Sequence, residues 1–199
     1  FLKLLLLFII VATDGSSRAR RVRCDGLWDT TESLREGQGA MVWTDHQFEE
    51  GARGATAAYT IYNVPQDLNT CHKVELLTLV AAFYICIALD RSMIVETDCK
   101  SLLTQLTKDL RRHGDRSLSN QQCGKLQQQL RTMVVKAGKR IQRRHTNAHA
   151  ETRKGSHPSK WTRAETRNVI TDAYAAPVSE GERDRLLRVC PGHRGMRAE

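Results

Sequence analysis

The apolar positions in the first third of the chain indicate three strands. A continuous apolar run before Asp14 predicts a buried strand over residues 5–13, ended by an Asp-Gly-Ser turn at 14–16. Residues 37–44 predict a second strand, and residues 55–62, with tyrosines suited to a pleated surface, predict a third. Between the first two strands, residues 17–36 are polar and basic, so we predict a long irregular insertion there.

The rest of the chain alternates between helical and strand patterns. Residues 72–88 are apolar almost all round a helix, which predicts a deeply packed helix. The other predicted elements are a fourth strand (93–97), a short helix (100–106), a charged loop (111–115), a second long helix (120–136), a basic fifth strand (139–146), a polar loop (148–166) and a last short helix (168–175).

The order of these elements predicts the α/β fold class. Three consecutive strands indicate antiparallel pairing, whereas the later strands alternate with helices and are expected to run parallel. We therefore predict a mixed five-stranded sheet, three antiparallel strands followed by parallel strands, with helices on both faces. One domain is expected over residues 1–176, followed by a flexible tail over 177–199.

Composition narrows the class of partner. The chain has 199 residues, of which 40% are hydrophobic and 27% charged, which is typical of a globular domain. Lysine and arginine outnumber the acids 31 to 22, for a net charge of +9. Such a surplus favours a polyanionic partner, nucleic acid before an anionic membrane.

The six cysteines include no Cys-x-x-Cys pair. We therefore expect a reduced, intracellular protein of the cytoplasm or nucleus, without a cysteine-based zinc site. The first residue is Phe1, so we expect the chain to be a piece of a longer protein. Residues 1–12 could instead be a secretory signal, although Lys3 is their only positive charge and no clear cleavage site follows.

Four acids carry the candidate chemistry. Asp14 and Asp98 each end a predicted strand, while Glu75 and Asp172 lie on predicted helices. Each has a plain explanation as a turn, cap or surface residue, but a carboxylate such as Glu75 on an apolar helix is costly to bury without a cation. In an open α/β sheet, binding and catalytic sites form at the carboxyl ends of the strands. Clustered carboxylates there suit Mg²⁺ or Mn²⁺, and a pair of such ions can promote phosphodiester hydrolysis.

As an ordered set, the motifs over residues 4–176 resemble the ribonuclease H family. The matching segments are Thr13-Asp14-Gly15-Ser16, Gly37-Gln38-Gly39-Ala40, Glu75-Leu76-Leu77, Thr97-Asp98-Cys99, Ala148-His149 and Asn168 to Ala173. The resemblance implies a nuclease that cuts the RNA strand of an RNA–DNA hybrid with two Mg²⁺ ions. It implies Asp14, Glu75, Asp98 and Asp172 as metal ligands, and His149 as an assistant in proton handling or product release.

The chain departs from the family pattern at several positions. Cys71 and His72 stand where polar residues commonly touch the minor groove of the hybrid, and Cys99 and Lys100 replace a small and polar pair. Arg167 stands where a glycine often precedes the asparagine.

The first metal ligand has a competitor within the chain. Asp45 also ends an apolar strand, in Trp43-Thr44-Asp45. We prefer Asp14, because Asp45 then falls in the second strand and three strands precede the helix, as the resemblance requires.

A basic stretch near the fifth strand is the candidate nucleic-acid surface. We expect its side chains to contact phosphates, which position a nucleic acid without reading its sequence. The assigned residues are Lys139, Arg140, Arg143 and Arg144, together with Lys100 and Asn168. A hybrid is expected to be recognised by its shape and its 2′-hydroxyls.

The resemblance and the basic charge suggest a retroelement or viral polyprotein, with a reverse transcriptase upstream and no membrane partner. Three alternatives stay open. The first is a free-standing cellular ribonuclease H. The second is a catalytically degenerate module that binds nucleic acid without cleaving it. The third is a secreted or membrane-anchored protein that uses residues 1–12 as its signal.

Overall fold

A computed structural model describes residues 8–24, 27–45, 56–61, 64, 71–109, 123–153, 155–176 and 180–188. The predicted charged loop at 111–115, the first residues of the predicted helix at 120–136 and residues 1–7 lie outside this part. Within it, no helix is both long and apolar enough to cross a lipid bilayer.

The described elements follow the predicted order, with one further helix at the end. The strands are β1 (Phe8–Cys24), β2 (Leu27–Asp45), β3 (Thr56–Ile61), β4 (Ser92–Thr97) and β5 (Ile141–His145). The helices are α1 (Cys71–Ala88), α2 (Lys100–Asp109), α3 (Gly124–Ala137), α4 (Arg163–Ala175) and α5 (Glu180–Arg188).

The strands form one mixed sheet in the order β3-β2-β1-β4-β5. β1 pairs antiparallel with β2, and β2 with β3, whereas β1 pairs parallel with β4, and β4 with β5. The predicted α/β class and its division into antiparallel and parallel strands are confirmed. Phe8–Ala12 of the N-terminal apolar run lie in the central strand and pair with β4.

Helices cover both faces of the sheet, as predicted. Because successive side chains of a strand point to opposite faces, Val11 and Ala12 belong to different cores. The Val11 face packs against α1, α2 and α3 in a large apolar cluster that includes Phe83. The Ala12 face packs against α4 and α5, through residues such as Ile170.

The predictions for residues 14–16 and 17–36 are wrong. β1 continues through Asp14 without a turn and pairs with β2 as far as Cys24, opposite Leu27, with one register shift between Arg20 and Val22. This hairpin extends beyond the β4 partner, whose ladder with β1 ends at Ala12. Antiparallel ladders satisfy backbone hydrogen bonds whatever the side chains, so a polar, basic hairpin leaves no apolar pattern to read.

The C-terminal elements also differ from the prediction. α4 begins at Arg163 because Thr162 and Glu165 form a reciprocal capping box, in which each side chain accepts from the backbone N–H of the other. Helix α5 occupies part of the segment predicted as a tail, and its Leu187 is buried in the α4-side core. The domain boundary at residue 176 stays a prediction.

Candidate active site

The register of the parallel strands brings Asp14 and Asp98 together. The β1–β4 ladder ends at Ala12 opposite Glu96, so Asp14 and Asp98, each two residues further on, lie side by side just beyond the end of this ladder. Carboxylate oxygens of Asp14, Glu75 and Asp98 all lie within 4.8 Å of one another. Three of the four predicted acids thus meet directly.

Two glycines allow α1 to bring Glu75 to this point. Gly15 and Gly39 are opposite each other in the β1–β2 ladder. A Cβ added to Gly15 would stand 2.2 Å from the backbone nitrogen of Glu75, and one added to Gly39 would stand 1.9 Å from Oγ1 of Thr78. The first turns of α1 therefore rest on bare strand backbone, a close approach that only glycine permits.

Asp172 joins the cluster from α4. Its carboxyl hydrogen-bonds to Asp14. One turn earlier, the buried Asn168 donates from Nδ2 to Asp172 at 3.3 Å and to Asp98 Oδ2 at 3.4 Å. The Asn-x-x-x-Asp spacing of the sequence thus places an amide donor between two acids, and the described contacts of Asn168 are with these acids.

The clustered acids hold their protons unusually tightly. Burial, and then the charge of Asp98, raise the pKa of Asp14 to about 6. Burial raises the pKa of Glu75 to about 7, although a hydrogen bond from the Cys99 side chain lowers this pKa in part. Burial, followed by the charges of Asp14 and Asp98, raises the pKa of Asp172 to about 9. Three carboxyls crowded out of water cannot all ionise near neutral pH without a compensating cation.

The donor set fits a hard divalent cation such as Mg²⁺ or Mn²⁺. Every member of the Asp14, Glu75 and Asp98 group offers carboxylate oxygen, which these ions prefer. Nearby, the buried Oε2 of Glu151 has no hydrogen-bond partner among the described residues. This buried acceptor beside Asp172 adds to the excess of negative charge.

His149 lies at the rim of the cluster, in the loop after β5 as predicted. Its backbone is left-handed, with φ 49°, and its side chain is 66% exposed. Nδ1 lies 3.7 Å from Oδ2 of Asp172 and 3.5 Å from Oε1 of Glu151. The sequence pattern did not single out Glu151, because an acid in a polar loop carries no signal of its own.

Asp45 is remote from the cluster. It pairs with Ile9 in the β1–β2 ladder, whereas Asp14 pairs with Ala40. Ile9 and Asp14 are five residue steps apart along β1, so the two acids are separated by about 16 Å along the strand direction. The structure thus brings Asp14, and not Asp45, to the other acids.

A buried ion cluster lies beside the acids and was not predicted. Glu96 is 1% exposed. It accepts from Nε and Nη2 of Arg167 at 2.8 and 3.0 Å, and from Nη1 of Arg144 at 3.0 Å. Arg167, which departs from the family pattern, therefore compensates the buried carboxylate of Glu96 on β4.

The predicted phosphate-binding residues have different surroundings. Lys100 and Arg143 are exposed, whereas Arg140 forms an ion pair with Asp90 and Arg144 with Glu96. The side chain of Lys139 lies outside the described part. Their contact with nucleic acid stays a prediction.

Two further departures meet at Glu75. Atoms of His72, Glu75 and Cys99 that can bind a metal lie within 4.8 Å of one another. The Cys99 thiol hydrogen-bonds to Glu75. Burial, together with this bond, raises the pKa of the Cys99 thiol to about 11. Its Sγ also lies 3.2 Å from Oγ of Ser101.

The strand order and the helices on both faces of the mixed sheet define a ribonuclease H-like fold. Solved structures share this fold. The chain is similar to the RNase H domain of prototype foamy virus (TM-score 0.61, 12% identity, covering 85% of this chain and 92% of that one). It is also similar to an N-terminal RNase H domain from Mycobacterium tuberculosis (TM-score 0.51, 14% identity, covering 92% and 97%).

Larger viral enzymes contain the same fold. The protease–reverse transcriptase of prototype foamy virus matches with a TM-score of 0.60 and 14% identity over 85% of this chain. The chain spans about a fifth of that enzyme, since 20% of its length is covered. No protein-family profile and no curated protein matches the sequence.

Proposed function

We propose that this chain is a divalent-metal-dependent endonuclease that hydrolyses the RNA strand of RNA–DNA hybrids. The observation that carries the proposal is the meeting of Asp14, Glu75, Asp98 and Asp172 at the strand ends of a ribonuclease H-like sheet. A foamy viral protease–reverse transcriptase with this fold was solved in complex with an RNA/DNA hybrid (TM-score 0.52, 11% identity). We further propose that the chain is part of a retroelement or viral polyprotein that includes a reverse transcriptase.

Each acid has a distinct position in the proposed mechanism. Asp14 and Asp98 stand at the centre, Glu75 approaches from α1, and Asp172 approaches from α4. Bound Mg²⁺ or Mn²⁺ would activate water and neutralise charge on the scissile phosphate. Asn168 orients Asp98 and Asp172 through its amide, so that both carboxylates present fixed oxygens.

His149 is suited to proton handling at the edge of this site. Its exposed ring faces Asp172, which keeps the ring near the acids while solvent reaches it. An imidazole ring can both donate and accept a proton through its two nitrogens, so His149 is suited to carry a proton to or from the departing product. The exposed Lys100 and Arg143 are proposed to contact phosphates of the hybrid.

The test is cleavage of a hybrid whose RNA and DNA strands carry different labels. We expect Mg²⁺ to support cleavage of the RNA strand only, and EDTA to stop it. Asp98→Asn keeps the shape of the side chain and the acceptor for Asn168 but removes a charge, so we expect cleavage to fall by at least about a hundredfold.

Asp184→Asn is the matched control, because this exposed acid lies on α5 outside the carboxylate cluster. It should cleave like the unaltered chain. Equal cleavage by Asp98→Asn would contradict the proposal. Tight binding of the hybrid without any cleavage would instead favour the degenerate nucleic-acid-binding module.

A further inference from the structure

Two residues that depart from the family pattern meet beside Glu75 and change the chemistry of that corner of the site. His72 lies in the first turn of α1, one turn before Glu75, and Cys99 lies between β4 and α2. The fold thus joins a nitrogen, an oxygen and a sulfur donor from distant parts of the sequence, all within 4.8 Å. The sequence contains no Cys-x-x-Cys pair, so this arrangement left no local signal.

The donor set differs from that of the carboxylate cluster. Imidazole and thiolate are ligands of zinc and other soft or borderline ions, whereas Mg²⁺ and Mn²⁺ prefer oxygen. Three protein ligands with one open position form a complete zinc site when water supplies the fourth ligand. Binding of the ion at Cys99 releases the thiol proton to solvent, so the sulfur coordinates as a thiolate. Mg²⁺ would therefore not compete for His72 and Cys99, although both kinds of ion would compete for Glu75.

The geometry requires little adjustment. Ligand atoms around a tetrahedral zinc ion are separated by about 3.3 to 3.8 Å, so the group would contract by about 1 Å. All three side chains are partly exposed, which leaves them room to move. Glu75 and Cys99 already hydrogen-bond to each other, so the carboxylate and the sulfur are in contact before an ion binds.

We propose that His72, Glu75 and Cys99 form a binding site for Zn²⁺, and that its occupation withdraws Glu75 from the carboxylate cluster and inhibits cleavage. The binding of zinc is independent of the proposed nuclease function, whereas the inhibition rests on it. The chain would then combine a hard-ion site and a soft-ion site that share one ligand.

Binding is tested with Co²⁺ alone as a spectroscopic substitute for zinc in the whole chain. A thiolate ligand produces a near-ultraviolet charge-transfer band, which we expect at one equivalent of Co²⁺ and which Zn²⁺ should displace. Cys99→Ser should abolish the band, and His72→Ala should weaken binding by at least about tenfold.

Cys123→Ser is the matched control, because Cys123 is half-buried at the start of α3 and, among the described residues, belongs to none of the groups that could hold a metal. It should keep the band, as should Cys71→Ser. A band that survives in Cys99→Ser, or no band in the unaltered chain, would overturn the proposed site.

Inhibition is tested by adding Zn²⁺ to the Mg²⁺-supported cleavage reaction, with each variant compared with its own rate in Mg²⁺ alone. The half-inhibitory concentration should rise at least about tenfold in Cys99→Ser and stay unchanged in Cys123→Ser. Equal inhibition of both variants would reject the shared-ligand inference while cleavage itself stands. Absence of cleavage in Mg²⁺ alone would refute the proposed function but leave the cobalt result to decide the binding site.

Discussion

At the scale of single residues, the absence of a side chain matters as much as the presence of an acid. Gly15 and Gly39 face the first turns of α1, where any Cβ would collide with the helix. Glu75 can therefore stand next to Asp14 only because the neighbouring strand positions are bare. Gly15 of the Asp-Gly motif and Gly39 of the Gly-x-Gly motif are explained by this contact and not by a turn.

Gly15→Ala should disrupt both the fold and the site. The added methyl group would stand 2.2 Å from backbone, which cannot rotate away, so α1 must shift. We expect a loss of about 1–3 kcal/mol in the free energy of unfolding, measured with urea, and reduced hybrid cleavage. Gly181→Ala on α5, where the space is open, should instead be neutral or stabilising by up to about 1 kcal/mol. Unchanged stability and cleavage in Gly15→Ala would contradict this account of α1 docking.

At the scale of elements, a buried ion cluster joins β4, β5 and α4. Glu96 on β4 accepts hydrogen bonds from Arg144 on β5 and Arg167 on α4. Asp98 directly follows β4, and Asn168 and Asp172 lie on α4. The ion cluster therefore links the position of α4 to the strand that leads into Asp98.

Glu96→Gln should destabilise the protein far more than an exposed acid of the same kind. Removal of the charge leaves the guanidinium of Arg167, 7% exposed, without its carboxylate. We expect a loss of about 3–5 kcal/mol, measured by chemical denaturation. Asp90→Asn, which breaks the pair between Arg140 and the 88% exposed Asp90, should cost less than about 1 kcal/mol. Similar losses in the two variants would show that the buried cluster contributes little.

At the scale of the whole molecule, the crowded acids oppose folding in the absence of metal. Asp172, Glu75 and Asp14 all have pKa values above those of the unfolded chain. A raised pKa in the folded state means that the protonated form stabilises the fold and that ionisation removes this contribution. The net charge of +9 offsets little of the repulsion between these acids, because the acids are buried. The cations described near them are either paired with other acids or exposed to solvent, which screens their charge.

Stability in EDTA should therefore fall as the pH rises. The stabilising contribution of protonated Asp172 is complete below a pH of about 3.8 and is lost as the pH rises past about 9. The contribution of Glu75 is lost as the pH rises past about 7. We expect the melting temperature to drop over this range, by about 2–4 °C for each kcal/mol lost. Asp172→Asn should flatten the profile between pH 7 and 9, and Mg²⁺ should raise the melting temperature most at high pH. A flat profile for the unaltered chain in EDTA would contradict these shifts.

The local pattern of the sequence was sufficient for the main elements of the fold. Residues 72–88 and 93–97 carry apolar periodicities that match α1 and β4 within about a residue. The alternation of the later strands with helices predicted the parallel part of the sheet. The polar hairpin of β1 and β2 and helix α5 were missed, because their pairing or packing leaves little apolar signal in the chain.

The sequence by itself determined the order of the main strands and helices, because this order follows from local periodicity. Motifs of a few residues singled out the candidate acids, with Asp45 as an alternative to Asp14. Only the tertiary structure decided which groups share a site. It separated Asp45 from Asp14 by strand register, paired Glu96 with Arg167, and brought His72 and Cys99 to Glu75. These are contacts between residues distant along the chain, and their distances depend on strand register and on how closely helices approach the sheet, which no local pattern records.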